Sequence, residues 1–187
     1  MMEQRIIRLL VQFVILSLFF TGISHEIFGQ RYIARNGSIR FFSTAPLENI
    51  EAINNQGLSV VDISSGEIAF TIPITGFEFE KNLMQQHFNE NYMESERFPN
   101  STFKGKIFGF TDSSKDQPLK ASGDLTIHGV TKNITVNGTG YFAEDKIILK
   151  ASFPIKLADY KIKIPKVVFY NIAEVVDVSI EFEYAPY

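Results

Sequence analysis

The chain has 187 residues, a net charge of −3 at pH 7, no cysteine and 18 phenylalanines. The length fits one domain plus a short extra segment. The absence of cysteine excludes disulfides, thiolate nucleophiles and cysteine-ligated metals, and the absence of a basic excess argues against a nucleic-acid partner.

The first 29 residues have the layout of a secretory signal peptide. Arg5 and Arg8 precede an apolar run over residues 9–22, and the segment becomes more polar towards Gly29. The apolar run of about 14 residues is shorter than the ~20 that a spanning helix needs. We expect cleavage after Gly29, a mature domain over residues 30–187, and a periplasmic or secreted protein without stable membrane insertion. An uncleaved membrane anchor is the alternative.

The mature part of the chain mostly alternates apolar and polar residues with a period of two, which is typical of half-buried strands. Asn36-Gly37 and the segment 54–57 carry turn residues, so we expect tight turns there. Pro73 indicates a strand edge or a bulge. Strands are predicted over residues 31–34, 38–44, 47–54, 58–62, 67–75, 102–110, 119–127, 134–142, 147–157 and 176–184.

Residues 81–96 lack this two-residue alternation. Leu83, Met84, His87 and Phe88 recur there at helical spacing, which predicts one short amphipathic helix. The helix is expected to end before Pro99, because a residue that precedes proline is pushed towards an extended conformation.

The segment 123–132 reads GDLTIHGVTK. Leu125 and Ile127 alternate with polar neighbours, Gly129 permits a turn, and a second alternating run starts at Ile134, which together predict a β-hairpin. The segment is similar to the G-D-L-T-I-x-G-V-T-K signature of the YceI-like family of periplasmic, polyisoprenoid-binding, lipocalin-like proteins. The segment 92–103, YMESERFPNSTF, also resembles a family motif, with Phe98 in place of the more usual tyrosine.

Strands with one apolar and one polar face imply an antiparallel all-β fold, but alternation alone does not separate a sandwich from a barrel. The resemblance extends over about residues 31–187 and implies an eight-stranded antiparallel, lipocalin-like barrel with one short helical segment. It also implies a protein that sequesters or carries an isoprenoid of polyprenyl or quinone type, or a related long-chain lipid, inside the barrel.

An eight-stranded barrel can hold one small ligand, or its own side chains can fill it. The alternative function is therefore that of an envelope stress protein with a self-filled barrel, which acts through protein partners. Some relatives dimerise, so a homodimer is a further expectation.

The apolar face of the predicted strands supplies either a core or the wall of a ligand pocket. Small residues on this face, such as Gly105, Gly138 and Ala151, favour space over dense filling. A long apolar chain needs few polar contacts, since each buried methylene contributes roughly 0.8 kcal/mol. The predicted lining residues are Phe41, Ile68, Phe70, Ile72, Phe103, Ile107, Leu125, Ile127, Phe142, Leu149, Phe153, Val178, Ile180 and Phe182.

Few polar residues point to chemistry. His87, Asn89 and Tyr92 on the helical segment are expected to contact a ligand head group, whereas His128 is expected to serve the hairpin turn. The sequence has no H-x-x-x-H metal spacing, no G-x-S-x-G nucleophile elbow and no glycine-rich phosphate loop. We therefore expect no metal, no cofactor and no enzymatic activity. Catalysis on a lipid head group is the least favoured alternative.

Overall fold

The computed structural model describes residues 31–44, 49–164 and 173–187, so the predicted signal peptide lies outside the described residues. The described residues form nine strands, one α-helix and several single helical turns. The strands are β1 (Arg31–Ser43), β2 (Ile50–Asp62), β3 (Glu67–Pro73), β4 (Glu78–Phe79), β5 (Asn100–Phe108), β6 (Gln117–Ile127), β7 (Val130–Ala143), β8 (Lys146–Lys156) and β9 (Val175–Pro186).

Eight of these strands form a closed antiparallel ring in the order β1-β2-β3-β5-β6-β7-β8-β9, which the ladder between β9 and β1 completes. The two-residue strand β4 pairs with β2 beyond the end of the β2–β3 ladder. The helix α1 (Asn82–His87) continues into a π-helical turn over Phe88–Tyr92. The structure confirms the predicted eight-stranded barrel with one short helix.

The helix belongs to a long excursion between β3 and β5, residues 74–99, which we call the roof segment. Its two ends are adjacent, since Pro73 pairs with Asn100 and the Ile74 N–H donates to the Pro99 carbonyl at 2.8 Å. The chain therefore leaves the barrel, crosses one of its ends and returns to the point from which it left.

A buried asparagine holds the point where β3 leaves β2. Asn54 is fully buried, its Nδ2 donates to the Pro73 carbonyl at 2.7 Å, and its Oδ1 accepts from the Gln56 N–H at 2.8 Å. The prediction of a turn over residues 54–57 is therefore wrong: β2 continues through this segment. The asparagine side chain bonds across to β3 instead of closing a turn.

The prediction of a turn at Asn36-Gly37 is also wrong, because β1 runs through both residues. Gly37 faces Gly57 of β2, and the ladder shifts register on both sides of that pair. A Cβ atom on Gly37 would lie 2.0 Å from the Phe182 ring. Glycine is required here for close packing of an aromatic ring against a bulged strand.

The hairpin between β6 and β7 agrees with its prediction. His128 and Gly129 have φ angles of 50° and 71°, and the flanking Ile127 and Val130 pair, as in a two-residue turn with positive φ at both central positions. The His128 Nδ1–H donates to the Tyr160 carbonyl at 3.2 Å. His128 thus serves the turn and ties it to the chain that follows β8.

The barrel end opposite the roof segment is densely filled, and we call it the closed end. Phe182 and Tyr184 are 1% and 0% exposed, and Ile147 and Val61 are equally buried. The Ser59 hydroxyl donates to the Ala69 carbonyl at 2.9 Å, so the Tyr184 hydroxyl is the donor in its 2.7 Å bond to Ser59. Both of these buried hydroxyls are therefore satisfied.

This burial predicts a loss of stability at alkaline pH. Burial raises the pKa of the Tyr184 hydroxyl far above its ordinary value, and its bond to Ser59 opposes the shift only in part. Because the unfolded state ionises first, folding stability falls as pH rises above about 10, by up to ~1.4 kcal/mol per pH unit from this group. Urea unfolding between pH 8 and pH 11 checks this. We expect Tyr184→Phe to lose less stability over that range than the wild type, and equal losses would contradict the assignment.

Candidate functional site

A cavity of about 280 Å³ lies inside the barrel, below the roof segment. It opens at the end where β1, β3, β6 and β8 finish and where β9 begins. Its strand-borne walls come from alternate residues that point inwards, as the two-residue period of a strand requires. The lining residues are Ile39, Phe41, Ser43, Ile50, Phe70, Ile72, Ile74, Phe77, Phe79, Met84, His87, Phe88, Tyr92, Met93, Ser101, Leu125, Ile127, Phe153, Ile155, Leu157, Ile162, Val176, Val178 and Ile180.

Four aromatic rings join the roof segment to the barrel wall. Phe88, in the π-helical turn, lies 5.0 Å from Phe79, 5.5 Å from Phe77 and 5.5 Å from Phe41 between ring centroids. Phe41 belongs to β1 and also contacts Phe77 and Phe79 at 5.5 and 5.6 Å. This aromatic cluster covers one side of the cavity mouth with carbon surface.

The cavity has few polar groups. Among the described residues, the polar side chains on its wall belong to Ser43, His87, Tyr92 and Ser101, and none of them is a carboxylate, an ammonium or a guanidinium. The Ser43 hydroxyl oxygen accepts a hydrogen bond from the Ala173 N–H at 2.9 Å. Burial raises the pKa of the Tyr92 hydroxyl, which keeps that group neutral. A charge on a ligand would find no carboxylate, ammonium or guanidinium partner on this described part of the wall, which therefore suits an uncharged, apolar group.

A second cavity of about 60 Å³, which we call the lower cavity, lies between the first cavity, which we call the main cavity, and the closed end. Four side chains border both spaces, those of Phe70, Leu125, Phe153 and Ile180. We call these four the floor of the main cavity. The interior of the barrel therefore has two parts. The main cavity above the floor is open, and the closed end below the lower cavity is packed by the barrel's own side chains.

All but one of the predicted lining residues border one or both of these spaces. Phe142 borders neither of them, and its ring lies 6.2 Å from that of Tyr32 and 5.2 Å from that of Phe110. Five of the predicted residues border the lower cavity but not the main cavity: Ile68, Phe103, Ile107, Leu149 and Phe182. The main cavity is bordered by Phe41, Phe70, Ile72, Leu125, Ile127, Phe153, Val178 and Ile180.

The predicted head-group residues differ in their positions. His87 and Tyr92 border the main cavity at the roof segment, but Asn89 does not. The Asn89 Nδ2 donates to the Gln85 carbonyl at 3.0 Å, one helical turn earlier. Its Oδ1 is buried and has no hydrogen-bond partner among the residues that the structure describes. Two of the three predicted residues therefore border the main cavity.

Sequence reasoning missed most of the roof contribution to the cavity. The helical spacing of Met84 and Phe88 and the two-residue spacing of Phe77 and Phe79 are visible in the sequence, but neither pattern shows which surface these side chains cover. Leu157 ends the alternating run predicted over residues 147–157, whereas Ile162 lies after β8, where the sequence has no regular period. The position of Ile162 therefore depends on tertiary contacts alone.

The described residues carry no sign of a metal centre, since no group of three or more His, Asp or Glu side chains in these ranges is arranged to hold an ion. Within the same ranges, no helix is long and apolar enough to cross a membrane.

The sequence matches the YceI-like domain over residues 35–184. The chain belongs to the YceI-like family. A polyisoprenoid-binding domain from Saccharophagus degradans, implicated in plant cell wall breakdown, shares the fold of this YceI-like domain with a TM-score of 0.72 at 15% identity, over 84% of this chain and 99% of its own.

Two further solved structures share the fold of the YceI-like domain. BcnA from Burkholderia cenocepacia has a TM-score of 0.63 at 17% identity, over 79% of this chain and 94% of its own. The YceI protein from Campylobacter jejuni has a TM-score of 0.58 at 21% identity, over 75% of this chain and 86% of its own. No curated protein matches the chain.

Proposed function

We propose that this YceI-like domain binds the apolar chain of an isoprenoid, of polyprenyl or quinone type, or of a related lipid, and shields it from water. The main cavity carries the proposal: about 280 Å³ of space, walled by carbon, opens towards the roof segment. The Saccharophagus degradans neighbour is described as polyisoprenoid-binding, which supports the isoprenoid class.

Binding by such a wall needs no reacting group. Each methylene that moves from water into the cavity contributes roughly 0.8 kcal/mol, so a tail of several carbons supplies a large driving force. The head group remains at the mouth, where His87 and Tyr92 border the cavity and offer hydrogen bonds. We propose a carrier or sequestering protein, and not an enzyme, that acts in the periplasm or outside the cell after cleavage at Gly29.

Native occupancy gives the first test. Protein purified without added lipid is extracted with organic solvent, and mass spectrometry is used to quantify the extract. We expect about one lipid with an isoprenoid or similar chain per protein molecule. A self-filled barrel that acts through protein partners would yield no stoichiometric lipid, so an empty extract favours that alternative.

Uptake by delipidated protein gives the second test. A polyprenol or quinone at one hundred times its Kd would stabilise the folded state by about 2.7 kcal/mol, which raises Tm by roughly 5–10 °C for a domain of this size. Differential scanning calorimetry measures the shift. If no isoprenoid or fatty lipid raises Tm, the carrier function is wrong.

A further inference from the structure

We infer that this barrel limits the length of apolar chain that it can enclose. The floor formed by Phe70, Leu125, Phe153 and Ile180 stops an apolar tail after about two isoprene units. The inference rests on the proposed lipid binding and assigns a specificity to it. Any longer remainder of the tail leaves through the mouth.

The floor is supported from below. The Phe70 ring stacks on Phe103 at 5.3 Å with an interplanar angle of 17°, and it lies 5.9 Å from the Phe182 ring. Phe182 in turn packs so tightly against Gly37 that no Cβ fits between them. A tail that pressed on Phe70 would have to displace the closed end of the barrel.

The volume above the floor sets the capacity. A cavity of ~150 Å³ lined by aliphatic and aromatic side chains binds benzene, which has six carbons. At the same filling, the main cavity of about 280 Å³ holds on the order of eleven carbons, close to two isoprene units.

Phe153 is the floor residue whose removal would deepen the cavity. It borders both cavities and pairs with Val178 across the β8–β9 ladder, whereas the Phe70–Phe103 stack joins β3 and β5. Truncation to alanine frees space for about six carbons and joins it to the lower cavity of about 60 Å³, which on the same scale holds about two more. The capacity would rise to nearly four isoprene units.

Calorimetric titration with prenyl diphosphates of increasing length tests the inference, because the diphosphate keeps short prenyl chains dissolved and stays outside the apolar cavity. For the wild type, we expect affinity to rise at least about tenfold from the C5 to the C10 ester, since the added unit is buried. From C15 to C20 we expect a change below about threefold. For Phe153→Ala, affinity should keep rising at least about tenfold up to C20.

Three variants serve as controls. Ala121 lines the lower cavity, so Phe153→Ala combined with Ala121→Leu should move the plateau back towards shorter chains. Phe108→Ala removes the same ring from a position that is 52% exposed and should leave the length profile unchanged. If Phe153→Ala does not fold, Phe153→Val removes about four side-chain carbons instead of about six and should shift the plateau by about one unit.

Two results would overturn the inferred length limit while leaving lipid binding intact. One is a wild-type affinity that still rises tenfold from C15 to C20, and the other is a plateau that Phe153→Ala and Phe153→Val leave in place. If no prenyl ester and no neutral lipid binds the wild type, the proposed function itself is overturned, and the length limit with it.

Discussion

Val178→Phe should weaken lipid binding by roughly a hundredfold while the barrel remains folded. Val178 lies midway along the cavity wall, paired with Phe41 of β1 on one side and with Phe153 of β8 on the other. The larger side chain adds about four carbons to the cavity and displaces a similar number of ligand carbons. At roughly 0.8 kcal/mol for each, the loss is about 3 kcal/mol, or two orders of magnitude in Kd.

The same variant distinguishes an open barrel from a filled one. In a filled core, extra methylenes cost ~1–3 kcal/mol, whereas in the main cavity they meet empty space. We expect an unchanged or higher Tm, measured without ligand. Asp177→Phe is the matched control, because Asp177 is the exposed neighbour on the outer face of β9. It should alter neither Kd nor Tm appreciably, and a Tm loss confined to Val178→Phe would indicate a filled barrel.

Phe182→Ala should produce the largest loss of stability. Phe182 is 1% exposed, and its ring lies 5.9 Å from Phe70 and 5.8 Å from Tyr184. Truncation of a buried phenylalanine costs ~3–5 kcal/mol, which lowers Tm by roughly 10 °C in a domain of this size. Chemical denaturation of the delipidated protein measures the change, and the exposed Phe108→Ala should stay within about 0.5 kcal/mol of the wild type.

The contact between Phe182 and Gly37 makes this prediction sharper. Gly37→Ala alone should destabilise the protein, because its Cβ would lie 2.0 Å from the ring. In the Phe182→Ala background the clash is absent, and the added methyl group occupies part of the vacated space. The double variant should therefore be more stable than the sum of the two single effects predicts. Additive effects would show that the ring and the glycine do not share this space.

The barrel could be predicted because local alternation indicated antiparallel strands and the family resemblance distinguished a barrel from a sandwich. The hairpin at His128-Gly129 was predicted correctly, since its turn chemistry is local. Asn36-Gly37 was not, because the need for glycine comes from Phe182, a residue of the last strand. In a single sequence, a glycine that forms a turn cannot be distinguished from a glycine that leaves space for a distant ring.

The division between wall and core was beyond the reach of sequence patterns. Ile180 and Phe182 are two residues apart on the same face of β9, and alternation treats them alike. The structure places Ile180 at the floor of the main cavity and Phe182 in the closed end. The difference depends on the size of the side chains that face them from other strands, which a period of two does not encode.

The return of the roof segment to its own starting point has an evolutionary consequence. Because Pro73 and Asn100 are paired neighbours, the residues between them can be lengthened, shortened or exchanged without a change in any ladder of the ring. The part of the molecule that covers the cavity mouth can thus vary as long as its contacts with the barrel core, such as those of Phe77 and Met93, are kept. Grafting residues 75–98 from another member of the family, with these core positions retained, offers a direct route to altered ligand preference.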